Sequence, residues 1–153
     1  MKISETKDYK LVAALNKHVH DLHYHLYPRY FNKYNEELFK EIFKELVEDT
    51  GFTFLLLENG GEAVGYAWIE MRDYPESPLK KGYKSVYVHQ ISINASKRNQ
   101  GYGTALMEHI YKLAKNCGID LVELDYWLEN TVAKEFYEKH KFVRYREMVY
   151  KEL

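Results

Sequence analysis

Residues Val86 to Leu106 read VYVHQISINASKRNQGYGTAL. A β-branched run passes through Ser96-Lys97-Arg98 into a glycine-containing turn, and a helical pattern opens directly beyond it. Strand, glycine turn and helix start is the order in which several backbone N–H groups and a helix dipole converge on a phosphate, so this stretch is the expected functional centre. The strand itself carries a fault. Val86 and Val88 lie on one phase of the two-residue period, whereas Ile91 and Ile93 lie on the other, so the register shifts around His89-Gln90 and a β-bulge is the simplest account.

Working outward toward the C-terminus, Leu106, Ile110, Leu113 and Cys117 mark the buried stripe of a helix, with Gly118 placed as its left-handed terminator. Leu121 to Tyr126 reads as a strand. Asn130 can cap a last helix through Ala133, Phe136 and Tyr137, and Val143 to Lys151 alternates as a final strand should. Toward the N-terminus, Lys84 to Ile93 is preceded by a proline-containing loop, Asp73 to Gly82. Phe52–Leu57 and Ala63–Met71 form a hairpin through Asn59-Gly60-Gly61. Before them, Asn35 caps a helix whose apolar face combines Leu38, Ile42 and Leu46 with Phe39, Phe43 and Val47, and Gly51 ends it. Lys2 to Thr6 is a short extended start, followed by a helix capped by Asp8, carrying Leu11, Leu15, Val19 and Leu22, and stopping before Pro28. The expectation is one α/β domain over residues 1–153. Its sheet is mixed, largely antiparallel and six- or seven-stranded, with about four helices.

The size agrees with one domain: 153 residues, 46% hydrophobic and 16% aromatic, suffice for a single good core. With 22 basic and 23 acidic residues the formal net charge is -1, so no global field draws the chain to nucleic acid or to an anionic membrane. Cys117 is the single cysteine, reads as a small buried hydrophobe, and fits a reducing compartment. No leader-like or membrane-length apolar run occurs, and the location expected is cytoplasmic. His18, His20, His23 and His25 invite a metal reading, but no two are four apart and no cysteine is near, so no metal is expected. These histidines instead occupy a half-exposed helix, or one wall of a substrate cleft with Tyr27, Tyr30 and Phe31.

The turn Arg98-Asn99-Gln100-Gly101-Tyr102-Gly103 is not a P-loop, because no Lys-Ser/Thr pair follows at that spacing. Nor is it a complete dinucleotide fingerprint, since Leu106 stands at the third glycine position. Taken with the strand before it and with Asn130, Ala133, Phe136-Tyr137-Glu138-Lys139 after it, the segment resembles the GNAT superfamily of N-acetyltransferases, whose pattern is Arg/Gln-x-x-Gly-x-Gly/Ala. The resemblance in element order spans essentially the whole chain; its specific motifs lie between Val88 and Phe142.

That resemblance implies an acetyl-CoA-dependent enzyme with a sheet splayed between strands 4 and 5. The pantetheine arm would pair with the main chain of Ile91, Ser92 and Ile93. The pyrophosphate would rest on the amides of the turn and helix start, through Arg98, Asn99, Gln100, Gly101, Tyr102, Gly103 and Thr104. Asn130 matches the family asparagine that contacts the cofactor, against a plain capping role. Tyr137 matches the residue that protonates the departing thiolate, against a plain core role. Many members place a glutamate base where this chain has His89; His89 is therefore one candidate base and Glu70, on the neighbouring strand, the other. Lys141 stands where the family usually has glycine.

The heavier proton task is at the acceptor. An amine of pKa about 10.4 is about one part in a thousand neutral near pH 7.4, equivalent to roughly 4 kcal/mol, whereas a thiol of pKa about 8.5 already leaves fairly well. The expected acceptor is a primary amine. A polyamine-like or other small amine comes first, then a protein amine, then an aminoglycoside, held by aromatic and acidic groups such as Trp68, Glu70, Tyr126 and Trp127. A homodimer is compatible with the sequence. The alternative function is a non-catalytic acyl-CoA-binding regulatory module.

Overall fold

The computed structural model describes residues 1–153. In order, the elements are β1 (Lys2–Glu5), α1 (Tyr9–Leu26), α2 (Glu36–Leu46), β2 (Phe52–Asn59), β3 (Glu62–Tyr74), β4 (Tyr83–Ile93), a 3-10 turn (Ala95–Lys97), α3 (Tyr102–Asn116), β5 (Val122–Leu124) and α4 (Thr131–Lys139). The sheet runs β1-β2-β3-β4-β5, antiparallel except for the parallel β4/β5 pair. It has five strands, not six or seven. Val143 to Lys151 does alternate, yet it forms no strand because its backbone finds no partner within the chain.

Each face of the sheet buries its own core, as two-residue alternation requires. Leu55, Leu57, Ala67, Ile69, Val86 and Val88 meet Leu106, Met107, Ile110 and Ala114 of α3. On the opposite face Phe54, Leu56 and Tyr66 meet Val12, Ala13 and Leu15 of α1 and Phe43 and Val47 of α2's end. The caps behave as their side chains predict: Asp8 accepts from Leu11 N at 3.0 Å and Asn35 from Leu38 N at 3.1 Å.

Two apolar readings need correction. Leu38 and Ile42 are more than half exposed, because α2 rests on the core through Phe43 and Val47, with Phe39 and Leu46 partly buried beside them, and turns Leu38 and Ile42 outward. Cys117 is exposed, not buried. The buried stripe of α3 ends at Ala114, and Cys117 is already the C-cap residue, where the chain turns away through Gly118 at φ 69°.

After α4 the chain turns at Lys141, which adopts φ 62°. A lysine Cβ crowds the backbone there at a cost of about 1–2 kcal/mol, which accounts for a glycine preference at this turn. Lys141→Gly is expected to stabilise the fold by about 1 kcal/mol, read as a raised denaturant midpoint with an unchanged slope. A lowered midpoint would show that the Lys141 side chain contributes more than its backbone strain removes.

Candidate active site

The bulge sits where the sequence phase breaks. Across from β3, Gln90 pairs with Trp68 and Val88 with Ile69, which leaves His89 as the extra residue. On the other side, β5 pairs Val86 with Val122, Tyr87 with Glu123 and Val88 with Leu124, and pairing stops there. From His89 onward β4 therefore has a neighbour on one side only. Ile91, Ser92 and Ile93 stay in register with Ala67, Tyr66 and Gly65 of β3, so the strand is held while its β5-facing edge is open.

Buried polar groups tie this bend to α1. Asn16 Nδ2 donates to Tyr66 Oη at 2.8 Å and to Gln90 Oε1 at 2.6 Å, Tyr66 Oη also bonds Gln90 Oε1, and Ser92 Oγ donates to the Leu15 carbonyl at 2.9 Å. Sequence reasoning missed this network. Its only signal was Asn16, a polar residue directly beside Leu15 on the apolar face of α1.

Beyond β4 the turn offers backbone rather than side chains. None of the N–H groups from Asn99 to Thr104 donates a hydrogen bond within the chain, and the first helical bond of α3 is Ala105 N to Gly101 O. The side chains are occupied elsewhere: Arg98 Nε donates to the Ile93 carbonyl at 3.3 Å, Gln100 Nε2 to the Ser96 carbonyl at 3.4 Å, and Tyr102 Oη accepts from Asn59 Nδ2 at 2.9 Å. Thr104 Oγ1 lies 3.3 Å from His140 Nε2. Six consecutive unclaimed amides at the positive end of a helix dipole form a cradle suited to an anion such as a diphosphate.

The two glycines serve the cradle differently. Gly101 caps α3 at φ 83°, and a Cβ there would meet nothing within 4 Å, so backbone conformation selects it. At Gly103 a Cβ would lie 3.1 Å from Phe136 Cε2. That glycine lets α4 pack against the start of α3, a reason found within the protein itself rather than in the approach of a ligand.

His89 and Glu70, read from sequence as alternatives, are bonded to each other. His89 Nε2 lies 2.8 Å from Glu70 Oε2, which also accepts from Arg72 Nε at 2.9 Å. The imidazole stacks on Trp68 with centroids 4.5 Å apart and meets the edges of Phe52 and Tyr87. Arg72 in turn covers the Tyr87 ring at 3.6 Å. Burial lowers the His89 pKa below 6.5 against the opposing pull of Glu70, so the ring is neutral at pH 7. Burial alone would raise Glu70, but its bonds from His89 and Arg72 outweigh that and hold the carboxyl below its usual range.

Tyr137 is buried beside Tyr126 and Phe142, and its hydroxyl has no hydrogen-bond partner within the chain. Burial, then the nearby charge of Asp125, pushes its pKa far above 10, so the phenol keeps its proton. The same Asp125 carboxylate acts on His89 and bonds the Tyr87 hydroxyl, which makes it a link between the two ends of the site that sequence reasoning missed. Asn130 does cap α4, its Oδ1 accepting from Ala133 N at 3.1 Å; its Nδ2 makes no bond within the chain.

The His18–Phe31 segment is brought to the site by aromatic contacts. Tyr27, Tyr30 and Phe31 surround Trp127 at centroid distances of 4.5, 5.5 and 5.2 Å, and Tyr27 Oη accepts from Glu129 N at 2.9 Å. His20 and His23 pack on Phe31, and His20 Nε2 bonds the Asn32 carbonyl at 2.7 Å. The connection between α1 and α2 is thereby fastened to the loop between β5 and α4.

Residues 19–142 match the family model described as "Acetyltransferase (GNAT) family". The chain belongs to that family. As a GNAT acetyltransferase it is an acyltransferase, and its shape agrees with solved relatives. A tetramutant of the BH1408 protein from Bacillus halodurans is 26% identical, with 100% of each chain covered and a TM-score of 0.94. An aminoglycoside antibiotic 6'-N-acetyltransferase from Acinetobacter haemolyticus is 15% identical over 100% of this chain and 98% of that one, with a TM-score of 0.73. A predicted acetyltransferase from Clostridium acetobutylicum, solved with acetyl-CoA, is 15% identical over 99% and 95%, with a TM-score of 0.71. At 15% identity these two share the fold alone. No curated protein matches the chain. No helix of this GNAT chain is long and apolar enough to cross a membrane.

Proposed function

We propose that this GNAT protein transfers an acetyl group from acetyl-CoA directly to the primary amine of a small molecule, a polyamine-like amine first, with a protein amine as the second choice. One observation carries the reading: β4 loses its β5 partner at the bulge, and the edge so exposed leads into six unclaimed amides. An extended pantetheine chain can add to such an edge as a strand would, at Ile91, Ser92 and Ile93, and a diphosphate suits the amides from Asn99 to Thr104. Helix-end attraction supplies only about 0.3–2 kcal/mol, so the amide hydrogen bonds supply much of the grip. The unused Nδ2 of Asn130 is available to the cofactor while its Oδ1 caps α4.

Acetyl-CoA supplies the activated acetyl thioester. His89 acts as the base: with Nε2 held by Glu70, its Nδ1 is the atom left to take the acceptor's proton. Glu70 orients the ring and favours its protonated form. Tyr137, protonated at neutral pH, gives its proton to the leaving sulfur. Thiol release measured with an amine panel tests the whole. Acetyl-CoA binding without acceleration by any amine would replace the enzyme with a non-catalytic acyl-CoA-binding regulatory module.

The roles of His89 and Glu70 separate in a pH profile. A base must be neutral, and the His89 pKa is lowered, so the acidic limb of kcat/KM is expected below the ordinary histidine value of 6.5. Glu70→Gln removes a group that raises that pKa, so the limb moves to still lower pH. His89→Ala abolishes the limb and costs about 10²–10⁴ in kcat/KM. An intact acidic limb in His89→Ala would exclude His89 as the base.

A further inference from the structure

Two carboxylates at β5 have no cation of the protein to answer them. Val122 and Leu124 pack on the α3-side core, so Glu123 between them points to the opposite face, the one on which His89 stacks on Trp68. Asp125, one residue past the strand, bonds the Tyr87 hydroxyl on that same face. Neither carboxylate enters an ion pair. Arg72, across the face on β3, is committed to Glu70 and to the Tyr87 ring, and Arg146, next to Tyr145 in the chain, pairs with no carboxylate.

Glu123 is only 8% exposed. Its Oε1 accepts from Tyr145 Oη at 2.6 Å and from Tyr83 Oη at 3.5 Å, but its Oε2 is buried without a partner. The adjacent strand repeats the pattern. Val86 and Val88 belong to the α3-side core, so Ser85 and Tyr87 share the face of Glu123, and the fully buried Ser85 Oγ has no partner either. A water would satisfy both atoms yet leave a buried negative charge uncompensated, which is costly. An alkylammonium brings the opposite charge and three N–H donors.

We propose that Glu123 Oε2 and Ser85 Oγ hold the distal ammonium of a short aliphatic diamine whose other amine is the one acetylated. The subsite deepens the acetyl-transfer reading and rests on it for which end reacts. Glu123 is in register with Tyr87, and His89 follows two residues along β4, about 6.6 Å further in extended chain. Asp125 lies toward that end, its charge acting on both His89 and Tyr137. The amine at His89 sheds its proton, while the distal one keeps its charge and with it the attraction of Glu123. The covering over the subsite is light: Tyr145 is itself 76% exposed and belongs to a segment without backbone hydrogen bonds, so it can turn aside for a ligand.

Calorimetry of the full chain, with CoA in place of acetyl-CoA, compares diaminobutane with pentylamine, in which a methyl group replaces the distal ammonium. The diamine is expected to bind about 100-fold more tightly. Glu123→Gln, nearly isosteric and uncharged, should remove most of that preference, and Ser85→Ala should reduce it about 10-fold. Absence of a diamine preference in the unaltered chain overturns the subsite, while thiol release from acetyl-CoA with either amine would still uphold acetyl transfer. A preference that survives both variants overturns it as well. A diamine that binds through Glu123 but releases no thiol upholds the subsite and sinks the acetyl-transfer reading instead.

Discussion

Replacing Tyr137 with phenylalanine is expected to lower kcat by about 10²–10⁴ while leaving acetyl-CoA affinity little changed. The phenol is buried, has no hydrogen-bond partner within the chain, and holds its proton because burial and Asp125 both oppose the phenolate. A hydroxyl that bonds no group of the protein contributes little to the fold that phenylalanine would lose. The ring contacts with Tyr126, Phe136 and Phe142 survive the substitution, so the melting temperature should hold or rise slightly. A pure packing residue would leave kcat unchanged, and that result would remove Tyr137 from the chemistry. Comparing kcat with stability in one variant therefore separates the two roles left open by the sequence.

Gly101→Asp addresses the other end of the site. Space is not the obstacle, because a Cβ at position 101 meets nothing within 4 Å, and aspartate is among the residues that visit the left-handed region with least penalty. What changes is charge. A carboxylate beside the amides from Asn99 to Thr104 faces a bound diphosphate, and like-charge juxtaposition costs several kcal/mol, so the Kd for acetyl-CoA should rise by about 100-fold or more. Gly101→Asn is the matched control. It shares the backbone demand without the charge and should weaken binding far less. Equal losses in the two variants would trace the effect to backbone conformation and exclude a phosphate at this turn.

Much of this site is legible from the primary structure, for identifiable physical reasons. The phase break between Val88 and Ile91 reports the bulge because side chains alternate with a period of two, and one extra residue must invert every later position. Asp8, Asn35 and Asn130 are readable as caps because a cap is a local interaction between residues three apart. The end of the sheet is less legible. Val143 to Lys151 has the alternation of a strand, but pairing requires a partner edge, which no local pattern records. Leu38 and Ile42 mislead for a related reason: an apolar stripe predicts a buried face only if another element covers it. The bond between His89 and Glu70 joins residues 19 apart on adjacent strands, and its register is set by the bulge itself. Asp125 and Arg72 gain importance only through contacts with Tyr87, His89 and Tyr137, which become neighbours when the sheet forms.

Acetyl-CoA binding along the open edge of β4 and over the helix start can be followed residue by residue with amide 1H–15N spectra during titration. Saturable shifts concentrated at Ile91, Ser92 and Ile93 and from Asn99 to Thr104 are predicted, since β4 has no β5 neighbour beyond Val88 and the turn amides donate no bond within the chain. Binding that leaves these amides unmoved while shifting others would contradict this placement of acetyl-CoA.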